Sequence, residues 1–173
     1  LIFNSCLTNK LESRQPIMAT EIERKFLIAN DSWRAQVTSS KRLVQGYLNR
    51  GDERSIRVRI AGEQANLNIK STQDGIHRLE YEYAIPMADA EEMLEKVALP
   101  TVVDKVRHLI PAGDGLTWEI DEFAGANAGL IVAEIELPNA DHPFAKPDWL
   151  GEEVSHERRY YNSKLAETPY SEW

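Results

Sequence analysis

The stretch TEIERKFLIA, residues 20–29, alternates between two sets of side chains. Glu21, Glu23 and Lys25 share one parity, whereas the other parity is mainly apolar. Side chains two residues apart point the same way in a β-strand but away from each other in a helix. The period of two therefore predicts a β-strand with one charged face.

The same period recurs in seven further segments, separated by Gly, Asp, Asn and Pro residues that are typical of turns. These segments are residues 43–49, 55–60, 65–70, 76–85, 102–110, 116–123 and 130–137. Eight such strands predict a mainly β chain of α+β class, either an eight-stranded antiparallel barrel or a sandwich. Helices are the minority and are expected to flank the sheet over residues 32–37, 88–99 and 155–167.

Length and composition narrow the classes of protein. The 173 residues suit one domain, expected over residues 18–173, and residues 1–17 are expected to be a disordered upstream segment. The single cysteine, Cys6, excludes a disulfide scaffold and favours a cytoplasmic location. No apolar run reaches the roughly 20 residues of a transmembrane helix, so no membrane partner is expected. The formal charge of −8 argues against nucleic acid bound through a general basic surface.

Pairs of like charge, two residues apart, occur on nearly every predicted strand. They are Glu21/Glu23, Arg57/Arg59, Glu80/Glu82, Lys105/Arg107, Glu119/Asp121 and Glu134/Glu136. A solvated outer face explains any one pair. Six pairs, segregated by sign, are harder to explain in this way, and the apolar faces opposite them also need to be covered. Two sandwiched sheets could cover those faces, or a barrel could turn its charges inward.

An interior that holds both signs of charge is costly unless each charge has partners. A bound ligand would remove this cost, with metal cations for the carboxylates and a multiply charged anion for the Lys and Arg side chains. The charge pattern therefore predicts a metal–polyphosphate complex inside a barrel.

Residues 21–25, EIERK, match the ExExK signature of the CYTH, or triphosphate tunnel metalloenzyme, superfamily. The resemblance continues, in order, through residues 45–48, 56–59, 69–70, 80–82, 104–107, 118–121, 133–136 and 151–154. A lone ExExK is a weak signal, but the ordered set over residues 20–165 is specific. The chain most resembles the short bacterial inorganic triphosphatases.

The resemblance implies an eight-stranded tunnel that binds a triphosphate with Mg²⁺ or Mn²⁺ and hydrolyses inorganic tripolyphosphate to diphosphate and phosphate. Carried over by position, the metal carboxylates are Glu21, Glu23, Glu82, Glu119, Asp121, Glu134 and Glu136. The phosphate ligands are Lys25, Arg57, Arg59, Lys70, Lys105, Arg107 and either Arg158 or Arg159, with Arg159 as the candidate. The catalytic candidates are Glu21, Glu80 and Glu136, which would orient the water, and Lys25.

Other activities stay open on the same pattern. Thiamine-triphosphate hydrolysis and class IV adenylate cyclisation share the resemblance, and a triphosphate-bearing small molecule would then replace inorganic triphosphate. A non-catalytic polyphosphate-binding barrel would keep the cations but lose the metal carboxylates, which this chain retains. Trp33, Trp118 and Trp149 could stack a ring, although a packing role is favoured for each. The apolar outer face is compatible with a homodimer and equally with a monomer.

Overall fold

The computed structural model describes residues 22–51, 54–72 and 78–173, and these residues form nine strands and two α-helices. The strands are β1 Ile22–Ile28, β2 Ser39–Tyr47, β3 Arg54–Ala61, β4 Gln64–Thr72, β5 Arg78–Ala84, β6 Val103–Gly113, β7 Leu116–Phe123, β8 Ile131–Leu137 and β9 Leu150–Glu153. The helices are α1 Met87–Lys96 and α2 Asn162–Glu167. Short 3₁₀ turns cover Asp31–Gln36, Gly125–Asn127, Arg158–Tyr160 and Tyr170–Glu172.

All nine strands belong to one antiparallel sheet in the order β5-β4-β3-β2-β6-β7-β8-β1-β9. The predicted mainly β fold with few helices is confirmed. The ninth strand, β9, was not predicted, because its four residues are too few to show a period. Within the described residues the sheet is not closed into a ring of hydrogen bonds, and β5 and β9 form its edges.

The sheet curls into a tunnel-like shape, because strands from both ends of its order line one cavity. Lys25 lies on β1, the eighth strand in the order, and Lys70 lies on β4, the second, yet both side chains line the same space. The curl separates a charged inner face from an apolar outer face.

The apolar outer face packs in two places. On one side α1 lies against β3 and β4, where Val58, Ala65 and Ala90 are buried. The chain after α1 approaches β2 so closely that a Cβ on Gly46 would lie 2.7 Å from the Cβ of Ala98. On the other side an aromatic cluster covers β1, β7 and β8, and the rings of Trp118 and Trp149 are 5.4 Å apart.

The three tryptophans that the sequence left open are core residues. Trp33, Trp118 and Trp149 are each almost completely buried in the aromatic cluster on the outer face. The expected packing role is therefore confirmed for all three.

The C-terminal segment covers one end of the charged face. Tyr160 and Leu165 pack there against Val103, Phe123 and other buried apolar side chains of the sheet. Asn127 ties the segment down, since its Oδ1 accepts a hydrogen bond from the Tyr170 backbone at 2.8 Å. This packing brings the polar residues of α2 to the charged face.

The helical segments differ in length and type from those predicted. The expected helix over residues 32–37 is the 3₁₀ turn at Asp31–Gln36, where the Asn30 side chain accepts from the Ser32 N–H at 3.0 Å. The single helix expected over residues 155–167 is wrong. Tyr161 takes an extended conformation and separates the 3₁₀ turn from α2. No helix in the described part of the chain is long and apolar enough to cross a membrane.

Candidate functional site

Strand register places the predicted charged residues on one face of the sheet. Residues directly opposite each other in an antiparallel pair project from the same face. Lys25 lies opposite Glu134, which in turn lies opposite Glu119, and Arg107 lies opposite Asp121. The same relation links Arg57 to Asn68, Arg59 to Gln45, and Glu23 to Glu136.

This face is the interior of the curled sheet. Lys105 and Asp121 are 0% exposed to solvent, Glu134 is 4% exposed and Lys25 is 7% exposed. Charges on a solvated outer face would not be buried to this degree. The predicted charged interior is therefore confirmed.

Glu134 holds two cations at the centre of the interior. Its Oε2 accepts a hydrogen bond from Arg107 Nη2 at 2.8 Å, and its Oε1 accepts one from Lys25 Nζ. Burial by itself would raise the pKa of Glu134, but Lys25, Lys105 and Arg107 outweigh burial and hold that pKa well below its usual range. Glu134 is therefore ionised at every physiological pH.

Asp121 holds a second group of cations next to the first. Arg107 donates to both of its carboxylate oxygens, at 2.7 and 2.6 Å, and Lys105 donates to Oδ2. Lys105 also donates to Asn162 Oδ1 on α2 at 3.2 Å. Burial, with Arg107 nearby, lowers the pKa of Lys105 to about 8 although Asp121 opposes that change.

The opposite wall of the interior, on β2 to β5, uses amides as well as charges. Arg59 donates from Nε to Gln45 Oε1 at 3.0 Å, and burial beside Arg57 and Arg107 lowers the pKa of Arg59 to about 10. Glu82 is exposed and accepts from Asn68 at 2.6 Å and from Asn66 at 3.1 Å. The structure thus places Glu82 against β4 amides instead of among the carboxylates of β1, β7 and β8.

Glu23 and Glu136 lie opposite each other on β1 and β8, and both are exposed. Glu23 accepts a hydrogen bond from Lys25, and burial of its carboxyl group together with repulsion from Glu134 raises the pKa of Glu23. Glu21 lies outside the described residues. Glu80 pairs with Lys70 in the backbone register, but its side chain is also outside the described part.

A cavity of about 380 Å³ opens between the charged face and the C-terminal segment. Its lining contains six cations, namely Lys25, Arg54, Arg57, Lys70, Arg158 and Lys164, and two carboxylates, Glu23 and Glu167. The formal charge of these groups is +4, in contrast to −8 for the whole chain. The cavity is therefore suited to an anion of high charge.

Sequence reasoning missed part of this lining. Arg54 begins β3 on the parity opposite to Arg57, and Lys164 lies in a charged tail that resembles any solvated helix. Neither residue shows a signal in the period of two. Their position follows from tertiary packing at the cavity.

Arg159 lies away from the cavity lining. Its guanidinium group stacks over the rings of Tyr160 and Trp173, at 5.0 and 4.8 Å, and donates to Glu157 at 3.0 Å. Its neighbour Arg158 lines the cavity instead. Of the two arginines considered from the sequence, the structure favours Arg158 as a ligand.

The interior carboxylates offer the ligand chemistry that Mg²⁺ and Mn²⁺ prefer. Glu119 lies opposite Glu134, with Arg107 donating to both, and Glu23 lies opposite Glu136. Such like-charged pairs need a cation nearby. No group of three Asp, Glu, His or Cys side chains is gathered for a metal within the described ranges. Mg²⁺ commonly uses only one or two carboxylates together with substrate phosphates and water, so the paired glutamates fit it.

Comparison with known proteins agrees with this geometry. The CYTH domain model matches residues 19–167. An inorganic triphosphatase of Acetivibrio thermocellus is 43% identical over 153 residues, covering 88% of this chain and 97% of the relative. An inorganic triphosphatase of Nitrosomonas europaea is 37% identical over 150 residues, covering 85% and 97%. The crystal structure of the inorganic triphosphatase NE1496 superposes with a TM-score of 0.65 at 36% identity, covering 86% of this chain and 95% of that one.

Proposed function

The chain belongs to the CYTH domain family, and on that premise we propose that it hydrolyses inorganic triphosphate to diphosphate and phosphate with a divalent metal ion. Both relatives described above are named inorganic triphosphatases, and they are matched over nearly their whole length. The single observation that carries the proposal is the cavity, whose six cations and two carboxylates are gathered in a chain that is acidic overall.

A donor without a partner also points to an anion. The Nε of Arg57 is buried at the cavity and has no hydrogen-bond partner among the described residues. A buried donor in this state costs about 1–3 kcal/mol. A phosphate oxygen would satisfy it, because an Arg fork matches phosphate geometry.

The proposed phosphate ligands divide between the two sides of the cavity. Arg57 and Lys70 come from β3 and β4, while Lys25 comes from β1 on the other side. Arg158 and Lys164 reach the same space from the C-terminal segment. A linear polyphosphate in this space would meet cations on three sides. That arrangement suits phosphoryl transfer, which depends mainly on positioning and on charge stabilisation.

For the metal we propose the carboxylates Glu23, Glu119, Glu134 and Glu136, with Glu21 as a further candidate. Mg²⁺ or Mn²⁺, when bound there, would neutralise charge on the phosphate oxygens and favour in-line attack by water. Glu136 is exposed, which leaves it accessible to that water, and Glu21 and Glu80 remain candidates for the same role. Asp121 instead fixes Arg107 and Lys105, and Glu82 binds amides.

The test is phosphate release from inorganic triphosphate, with ATP and thiamine triphosphate in parallel, each with and without Mg²⁺ or Mn²⁺. We expect metal-dependent release, fastest with inorganic triphosphate. Faster release from thiamine triphosphate or ATP would show that the preferred substrate is an organic triphosphate. Tight metal-dependent binding without turnover of any of the three would instead identify a polyphosphate-binding barrel.

A cytoplasmic location, a homodimer and the absence of nucleic-acid partners stay predictions of the sequence.

A further inference from the structure

Lys25 occupies the space between two of the carboxylates proposed for the metal. Its Nζ donates to Glu23 Oε1 and to Glu134 Oε1, and the side chain is almost completely buried. Both carboxylates belong to the same face, Glu23 on the same strand and Glu134 directly opposite. One ammonium group thus bridges two carboxylates that are both proposed as metal ligands.

An ammonium group and a divalent cation cannot use the same carboxylate oxygens at once. We infer that Lys25 is a displaceable internal cation, which holds the carboxylates Glu23 and Glu134 in the empty enzyme and gives them up to a metal ion that binds there. The inference rests on the proposed function, since it concerns the order of events at that site. It assigns to Lys25 a role in the empty enzyme in addition to its role as a phosphate ligand.

The surroundings of Lys25 allow it to leave. Glu134 keeps a second partner in Arg107, which binds its other oxygen at 2.8 Å. Glu23 is about one-third exposed, with 35% of its side chain accessible, so a hydrated ion can reach it. Lys25 itself lines the cavity, and its flexible stem can carry the ammonium from the carboxylates to a bound phosphate.

The exchange couples the two ligands. When Lys25 moves to a phosphate, Glu23 and one oxygen of Glu134 lose its ammonium group, and their affinity for a cation rises. By linkage, a metal ion bound at these carboxylates must raise the affinity for triphosphate by the same factor by which triphosphate raises the affinity for the metal. A metal ion or a triphosphate that binds alone must break the ion pairs of Lys25 with Glu23 and Glu134. When both bind, this cost is met once, so the two ligands bind cooperatively.

The experiment measures Mn²⁺ binding by calorimetry in the complete absence of phosphate compounds. Wild-type protein is compared with Lys25→Met and with the control Lys164→Met. The control also removes one cation from the cavity lining, and Lys164 pairs with Glu167 on α2. Removing a charge that competes for the same oxygens should tighten Mn²⁺ binding about tenfold or more in Lys25→Met. The control should change it by less than about threefold, because Lys164 acts from a partly exposed position.

Mn²⁺ binding to Lys25→Met that is no tighter than binding to Lys164→Met overturns the inference. If Lys25→Met does not fold by circular dichroism, Lys25→Gln replaces it, since an amide can still donate to a carboxylate. A measurement on wild-type protein needs no variant: amine acetylation of Lys25, followed by mass spectrometry, should accelerate when Mn²⁺ is added. Unchanged labelling also overturns the inference. Because none of these measurements uses turnover, their failure is distinct from a failure of the triphosphatase assay.

Discussion

Lys105 and Asp121 form an ion pair in which neither side chain is exposed to solvent. The pair lies on neighbouring strands, β6 and β7, and Asp121 also binds Arg107 through both carboxylate oxygens. Asp121 therefore pairs with both cations, while Arg107 also donates to Glu134 and Glu119. The fully buried Lys105 depends on this carboxylate, which makes Asp121 a sensitive position of the interior.

Asp121→Asn should destabilise the protein by about 3–5 kcal/mol, because it takes the carboxylate away from the fully buried Lys105 and removes one of the partners of Arg107. Urea unfolding followed by circular dichroism measures the change. Glu122→Gln is the matched control, since Glu122 is the next residue on the same strand and pairs with Arg34 at a partly exposed site. We expect less than about 1 kcal/mol there. Equal effects of the two variants would contradict the special position of Asp121.

Lys105 should give the stability a measurable pH dependence. Its pKa is about 8 in the folded protein, below the ordinary value of 10.5 that applies to the unfolded chain. Between these values the unfolded state binds more protons, so this residue makes the free energy of unfolding rise with pH from about 8 to 10.5. Below pH 8 Lys105 is charged in the folded protein, and burial of that charge destabilises the protein by its full amount.

The pH dependence is measured as a difference between wild-type protein and Lys105→Met, so that other titrating groups cancel. As pH rises from 8 to 10.5, the free energy of unfolding should increase more in the wild type than in the variant. The slope can reach at most about 1.4 kcal/mol per pH unit for one proton. A flat difference between pH 8 and 10.5 would show that Lys105 titrates normally.

The carboxylates of the interior should differ in their effect on metal dependence. Glu134→Gln should abolish most metal-dependent phosphate release, with folding of this buried variant checked by circular dichroism, and Glu23→Gln should weaken the release in the same direction. Glu82→Gln should retain much more activity, because Glu82 binds Asn66 and Asn68 on the other wall. Activity against metal concentration separates these cases. Full activity in both Glu134→Gln and Glu23→Gln would refute the proposed metal ligands.

The adjacent arginines Arg158 and Arg159 should have different kinetic effects. Arg158→Ala should raise KM for triphosphate about tenfold, because it removes a cation from the cavity lining. Arg159→Ala removes a stacking contact with Trp173 instead. It should therefore lower the melting temperature and leave KM nearly unchanged. Steady-state kinetics and thermal unfolding of both variants make the comparison. A larger KM effect for Arg159→Ala would restore the assignment made from the sequence.

The contact between β2 and the chain after α1 should be sensitive to a single methyl group. Gly46→Ala would place its Cβ 2.7 Å from that of Ala98 and 2.8 Å from Leu94, so we expect a loss of about 1–3 kcal/mol. The double variant Gly46→Ala/Ala98→Gly should recover part of this loss. Chemical denaturation of the three proteins tests it. No recovery in the double variant would place the strain elsewhere.

The interior was predictable because a strand projects alternate residues from alternate faces. Glu23 and Lys25, or Glu119 and Asp121, could be assigned to one face from parity alone, and the family resemblance then supplied their chemistry. Strand register was not needed for this step. It adds only which charges meet, such as Glu119 opposite Glu134.

Positions outside that period were not predictable. Arg158 and Arg159 differ by one place in a 3₁₀ turn, where no parity rule decides which side chain faces the cavity. Arg54 starts its strand out of phase with Arg57, and β9 is too short to alternate. These residues depend on how the C-terminal segment packs against Leu165 and its neighbours, which a local pattern does not contain.

Lys25 and Lys70 stand six strands apart in the order of the sheet, yet they line the same cavity. The binding site therefore needs strands from both sides of the curled sheet. An anion that contacts both lysines would link the two sides of the open sheet and oppose uncurling of the strands between them. Anion binding is therefore expected to stabilise the curl of the sheet as well as to fill the cavity.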